Sequence, residues 1–132
     1  MPNIKITIQY DGTNFKGWQI QPKKRTVQGE IETALKKIFQ KHIRITGSGR
    51  TDTGVHALGQ VASFFIDTAK PLESIKKSIN AMTDNDVVID RIEAVSEDFH
   101  AKGSAKLKTY RYTIINAATV TPLERYEHLI FP

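Results

Sequence analysis

A chain of 132 residues is the size of one folding unit with room for a sizeable core. Its 39% hydrophobic and 25% charged residues exclude disorder and collagen-like repeats, and its lack of cysteine removes disulfide frameworks, thiolate zinc sites and cysteine nucleophiles. The net charge of +5 is uneven: positions 1–50 hold 10 basic and 3 acidic residues, 51–100 hold 4 and 9, and 101–132 hold 5 and 2, which suggests either a basic face suited to a polyanion or an unevenly charged solvated surface.

The start, Met1-Pro2-Asn3-Ile4-Lys5-Ile6-Thr7-Ile8, alternates apolar and polar residues where a signal peptide would run apolar, and no later stretch has the length of a bilayer span. A cytoplasmic protein with no membrane partner is expected. Ile4, Ile6 and Ile8 mark a strand with one buried face. Residues 11–25 are polar, interrupted by glycine and closed by Lys23-Lys24-Arg25, which predicts a long exposed loop of the kind that carries function. Over 26–40 the period becomes helical, with Val27, Ile31, Ala34, Leu35 and Ile38 on one stripe, Thr26 as N-cap, Glu30 and Glu32 early, and Lys36 and Lys37 late.

A short strand is predicted at 44–48 and a stronger one at 59–67, separated by Gly47-Ser48-Gly49-Arg50-Thr51-Asp52-Thr53-Gly54. Pro71 suits the first turn of a second helix with Leu72, Ile75, Ile79 and Met82 on one face, ending within 80–85. Strands follow at 87–95 and 107–115. This order predicts an α+β fold, a ferredoxin-like or RRM-like antiparallel sheet with two helices on one face and an additional strand. The fold is expected to occupy 1–116, with 117–132, which has no clear period, a tail or the start of a linker to a second domain.

Residues 47–54 suit a tight loop with exposed N–H groups, but Asp52 and Val55 break the dinucleotide and P-loop patterns. What remains is a carboxylate two residues from a guanidinium. Arg50 would keep Asp52 ionised and oriented as a nucleophile or base, or Asp52 caps a turn. His42, His56, His100 and His128 lack metal-ligand spacing, so no metal is indicated, and a Ser48, His56, Asp52 triad exists only as a combination of residue types. Lys102, Lys106, Lys108 and Arg111 interleave with Tyr110 and Tyr112, a pattern that suits phosphate contact and base stacking, or in which the tyrosines pack in the core.

Four segments occur in a recognisable order: Tyr10-Asp11-Gly12-Thr13-Asn14-Phe15-Lys16-Gly17-Trp18-Gln19, Gly49-Arg50-Thr51-Asp52-Thr53-Gly54-Val55-His56-Ala57, Asp98-Phe99-His100-Ala101 and Lys108-Thr109-Tyr110-Arg111-Tyr112. Over nearly its whole length the chain resembles the TruA-type tRNA pseudouridine synthases. The resemblance implies an isomerase that converts uridine to pseudouridine at positions 38 to 40 of the tRNA anticodon stem-loop, with a flipped base, tRNA as partner and no metal or organic cofactor. By the same resemblance Asp52 is the essential carboxylate, Arg50 pairs with it and helps hold the displaced nucleotide, and Tyr110 stacks on the uracil and assists proton removal at C5.

Lys23, Lys24, Arg25, Lys102, Lys106 and Lys108 are candidate RNA-backbone contacts from charge alone, with ordinary solvated side chains as the other reading. Thr53 stands where the family commonly has Ala, and Lys102 where Arg is common. Family chains continue into a second domain, form homodimers and hold the active cleft between their two domains. The isolated chain is therefore expected to be weakly active or inactive. The alternative reading is a non-catalytic RRM-like RNA-binding module, and a third is a purely structural domain.

Overall fold

Alternation along Asn3–Tyr10 (β1) sends Ile4, Ile6, Ile8 and Tyr10 to one face, and all four are buried. In this computed structural model the described residues are 1–101 together with the strands Thr109–Tyr112 and His128–Phe131. Val27–Phe39 (α1) begins as the sequence predicts: Thr26 is extended and its hydroxyl accepts the Gly29 N–H at 3.2 Å, which satisfies a donor the helix leaves open. Gln40 closes the helix at φ 58. Thr46–Gly47 (β2) is only two residues long, and His56–Phe65 (β3) starts three residues before the predicted 59–67.

Leu72–Met82 (α2) starts one residue after Pro71, which occupies the cap with no side-chain hydrogen bond, so the proline precedes the first turn. Ile75 and Ile79 are buried, whereas Met82, the last residue of the helix, is 48% exposed. Asn80 joins α2 to Val87–Val95 (β4): its amide nitrogen donates to Ile89 O at 3.1 Å, and its Oδ1 accepts the Ile89 N–H at 2.8 Å. Among the described residues no helix is long and apolar enough to cross a membrane.

β1 lies between β3 and β4, antiparallel to both, and the short β2 pairs with β3 at Ala62 and Ser63. This is the expected β-α-β-β-α-β arrangement. The core is shared by the inward face of β1, β3 and β4 with Val27, Ile31, Ala34 and Leu35 of α1 and Ile75 and Ile79 of α2. Burying each of the larger aliphatic side chains contributes about 1.5–3 kcal/mol.

The predicted strand over 107–115 is described as Thr109–Tyr112 (β5), and the structure adds His128–Phe131 (β6) inside the stretch read as a tail or the start of a linker. β6 sits between β3 and β5, parallel to the first and antiparallel to the second, so the sheet is mixed rather than wholly antiparallel. A short apolar run, Leu129-Ile130-Phe131, has no period of its own. It becomes a strand because β3 offers an open edge at His56 and Ala57, next to the edge that β2 covers.

Candidate active site

The segment from Gly47 to Val55 leads from β2 into β3 and is fastened along its length. Ser48 is buried, with its N–H on Val61 O at 2.8 Å and its hydroxyl donating to Gln60 Oε1 at 2.7 Å. The other end of the Gln60 amide donates to Gly49 O at 2.6 Å. Thr51 is also buried; its carbonyl accepts the Trp18 N–H at 3.1 Å, and its hydroxyl meets the Tyr10 hydroxyl at 2.8 Å. The Val55 N–H returns to Asp52 O at 3.2 Å, and the Gly54 N–H donates to Phe15 O at 3.3 Å.

The stretch 11–25 is only in part the exposed loop the sequence predicts: most of its residues are exposed, but Gly12, Phe15, Gly17 and Trp18 are buried. Phe15 and Trp18 are 1% and 3% exposed, and both pack on Tyr10, Phe15 edge-on at 6.2 Å and Trp18 stacked at 6.4 Å between centroids. Gly17 adopts φ +85, and a Cβ there would lie 2.6 Å from Thr51 O, so close approach of the two loops requires glycine. Burial pushes the Tyr10 phenol up to about 12 despite its hydrogen bonds to Thr51 and Gln60. His56 opens β3 with Nδ1 2.9 Å from the Gly12 N–H and 3.1 Å from Asp11 Oδ1. Hydrogen bonds from the Thr13 hydroxyl and N–H, with His56 beside them, hold the Asp11 carboxyl below its usual range.

Within this scaffold Arg50 and Asp52 are both exposed, flanking the buried Thr51. Among the described residues neither side chain has a hydrogen-bond or ion-pair partner, and no ion pair joins the two. The contact inferred from their spacing is absent: both side chains are exposed on either side of the buried Thr51. Ser48, His56 and Asp52 do not form a triad: Ser48 is bound to Gln60, and His56 to the 11–12 backbone and carboxylate. Tyr110 lies on β5 opposite Ile130 of β6, which pairs with Ala57, which pairs with Tyr10. Its backbone is thus in register with the end of β3 that the Asp52 loop enters.

Of the basic candidates, Lys23 and Lys24 are exposed, in a turn where the Lys24 N–H donates to Gln21 O at 3.3 Å and Lys23 has φ 60. Arg25 does something else: its guanidinium forks onto Asp86 at 2.7 and 2.8 Å, reaches Glu30 at 3.0 Å and Asp84 at 3.2 Å, and lies 4.0 Å from the Phe15 ring centre. The Asp86 hydrogen bonds raise its pKa further above the ordinary arginine value. Lys102, Lys106 and Lys108 lie outside the described residues. Sequence reasoning missed Gln60, Thr51 and Tyr10 as supports of the loop. The available signal was Gln60, a polar residue at an inward position of an apolar strand.

Residues 6–102 match the model of a family described as tRNA pseudouridine synthase. The chain belongs to the tRNA pseudouridine synthase family. A Thermodesulfovibrio yellowstonii protein named tRNA pseudouridine synthase A is 54% identical over 112 residues, covering 85% of this chain and 44% of the relative. Proteins of the same name from Caldicellulosiruptor saccharolyticus and Brachyspira hyodysenteriae are 53% and 49% identical, covering 88% and 96% of this chain and 48% and 51% of their own lengths. The chain spans about half the length of the curated relatives it matches. β2–β4, both helices, the Asp52 loop and all but the first three residues of β1 fall within the span matched to the tRNA pseudouridine synthase family.

Proposed function

We propose that this chain supplies the catalytic loop for isomerising uridine to pseudouridine in the tRNA anticodon stem-loop, at positions 38 to 40, with Asp52 as the catalytic carboxylate. The observation that carries the reading is a carboxylate exposed and without a partner among the described residues, on a loop whose flanking backbone is fixed on both sides. Family membership supports the reaction class. A carboxylate held this way meets a ribose with little reorganisation, which is the condition for nucleophilic or base catalysis.

In the reaction the C1′–N1 bond breaks, the uracil turns, and a C1′–C5 bond forms. The proton on C5 leaves and N1 takes one up, so the product is an isomer. Asp52 either attacks C1′ or removes the C2′ proton, and only the second route gives a primary isotope effect with C2′-deuterated substrate. Arg50, exposed two residues away, is assigned to help hold the flipped nucleotide, whose unstacking costs a few kcal/mol. Tyr110 is assigned to stack on the uracil and to assist at C5, a role supported by its register with the Asp52 end of β3.

The test is tritium release from an anticodon stem-loop labelled at uracil C5, using the full gene product that carries this chain. Asp52→Asn is expected to reduce release by about a thousandfold or more. Equal release by that variant, or RNA binding with no release by either form, overturns the assignment and leaves a non-catalytic RNA-binding module.

A further inference from the structure

Beside the Asp52 loop lies a groove of about 570 Å³, with Trp18 and Gln19 on one side, Thr46, Gly49 and Arg50 on the other, and Gln28 of α1 behind. Its depth depends on Gly47, where a Cβ would stand 2.7 Å from the Trp18 indole nitrogen. Gln28 is wall and not ligand, because both ends of its amide are used: Oε1 accepts the Ile20 N–H at 3.0 Å, and Nε2 donates to Glu32 at 2.8 Å and Ile45 O at 3.3 Å.

The groups that line the opening are different in kind. The Trp18 indole N–H, the Gln19 amide, the Thr46 hydroxyl and the Arg50 guanidinium have no hydrogen-bond partner among the described residues. All four can donate, one carries a full positive charge, and no carboxylate lines the groove. Such a cluster suits a ligand rich in acceptors, and the volume is that of a small-ligand site. Phosphate oxygens and base carbonyls supply such acceptors, and Arg50 links the groove directly to the loop that carries Asp52.

We propose that this groove is a second RNA subsite, taking a nucleotide next to the one that meets Asp52, with Arg50 on the phosphate that joins the two nucleotides and the Trp18 indole N–H on an oxygen of the neighbouring one. The inference rests on the reading that the Asp52 loop meets RNA. Trp18 is the only tryptophan in the sequence, so the nitrogen-15-labelled chain has one indole N–H resonance, and that resonance sits in the groove.

Titration of an unlabelled anticodon stem-loop RNA is expected to move this resonance together with the Gly49 amide. Gln19 is exposed and makes no side-chain hydrogen bond among the described residues, so Gln19→Glu keeps the fold while placing a carboxylate at the opening. It is expected to weaken RNA binding at low salt by about tenfold. RNA binding that leaves the Trp18 resonance unmoved, or undiminished affinity in Gln19→Glu, overturns the subsite and leaves the Asp52 chemistry standing. A moved Trp18 resonance with no Asp52-dependent tritium release supports the subsite and overturns the catalytic reading.

Discussion

Tyr10 carries the only hydrogen bond from β1 to the Thr51 side chain, and it makes that bond from a position 3% exposed. Tyr10→Phe keeps the ring contacts with Phe15 and Trp18 but removes the hydroxyl, for an expected loss of about 1 kcal/mol in urea unfolding near neutral pH. The pH dependence is more specific. The phenol is raised from 10.0 to about 12 in the folded protein, so in that window the unfolded chain gives up its proton while the folded one keeps it. Folding stability contributed by this group is complete below pH 10 and is lost as pH rises through 12, by up to about 3 kcal/mol. Unfolding of wild type and Tyr10→Phe between pH 9 and 12 should therefore show the shallower decline in the variant; parallel curves count against a buried, protonated Tyr10.

Arg25 does for the elements what Tyr10 does for one loop. It joins the end of the 11–25 segment to the first turn of α1 through Glu30 and to the α2–β4 turn through Asp84 and Asp86, while the Asp11 N–H reaches Asp86 O at 2.9 Å. Arg25→Ala is expected to cost about 2–3 kcal/mol because it leaves Asp86 half-buried without its partner. Arg25→Lys should fall between the two, since an ammonium keeps the charge and loses the fork. A double-mutant cycle with Asp86→Ala should give a coupling of about 1–2 kcal/mol, and additive losses would reduce the pair to a surface contact. The same residue shows what a sequence conceals. Thr26 was legible as a cap because its partner is three residues away, whereas the partner of Arg25 is 61 residues away and nothing in Lys23-Lys24-Arg25 separates the third cation from the first two. Phe15 and Trp18 were read as part of an exposed loop for the same reason. Asp52 stands out as a candidate only through its motif, since an exposed Asp in a glycine-containing loop also caps turns.

For the whole molecule, the charge arithmetic separates into parts once Arg25 is assigned to protein carboxylates. Lys23 and Lys24 remain at the surface, in the basic first 50 residues that also contain Arg50. If both meet phosphates, changing both to Ser should flatten the slope of log affinity against log salt by about 1.5, measured with anticodon stem-loop RNA, and an unchanged slope would remove them from the interface. The β-α-β-β-α-β order was legible because its strands and helices are long enough to display a period. The mixed edge was not, because β6 is defined by what β3 leaves open. The clamp between residues 11–18 and 51–55 has a further consequence, for how the chain can change in length. One residue added before Trp18 would carry its N–H off Thr51 O, and one added within 51–54 would carry Gly54 off Phe15 O. The turn at 21–24 bears no such duty toward the Asp52 loop, and Lys23 there holds a backbone angle that glycine would hold without strain. Insertions and deletions around the site should therefore be tolerated best in that turn, which makes it the natural place to graft a label or a linker without disturbing Asp52.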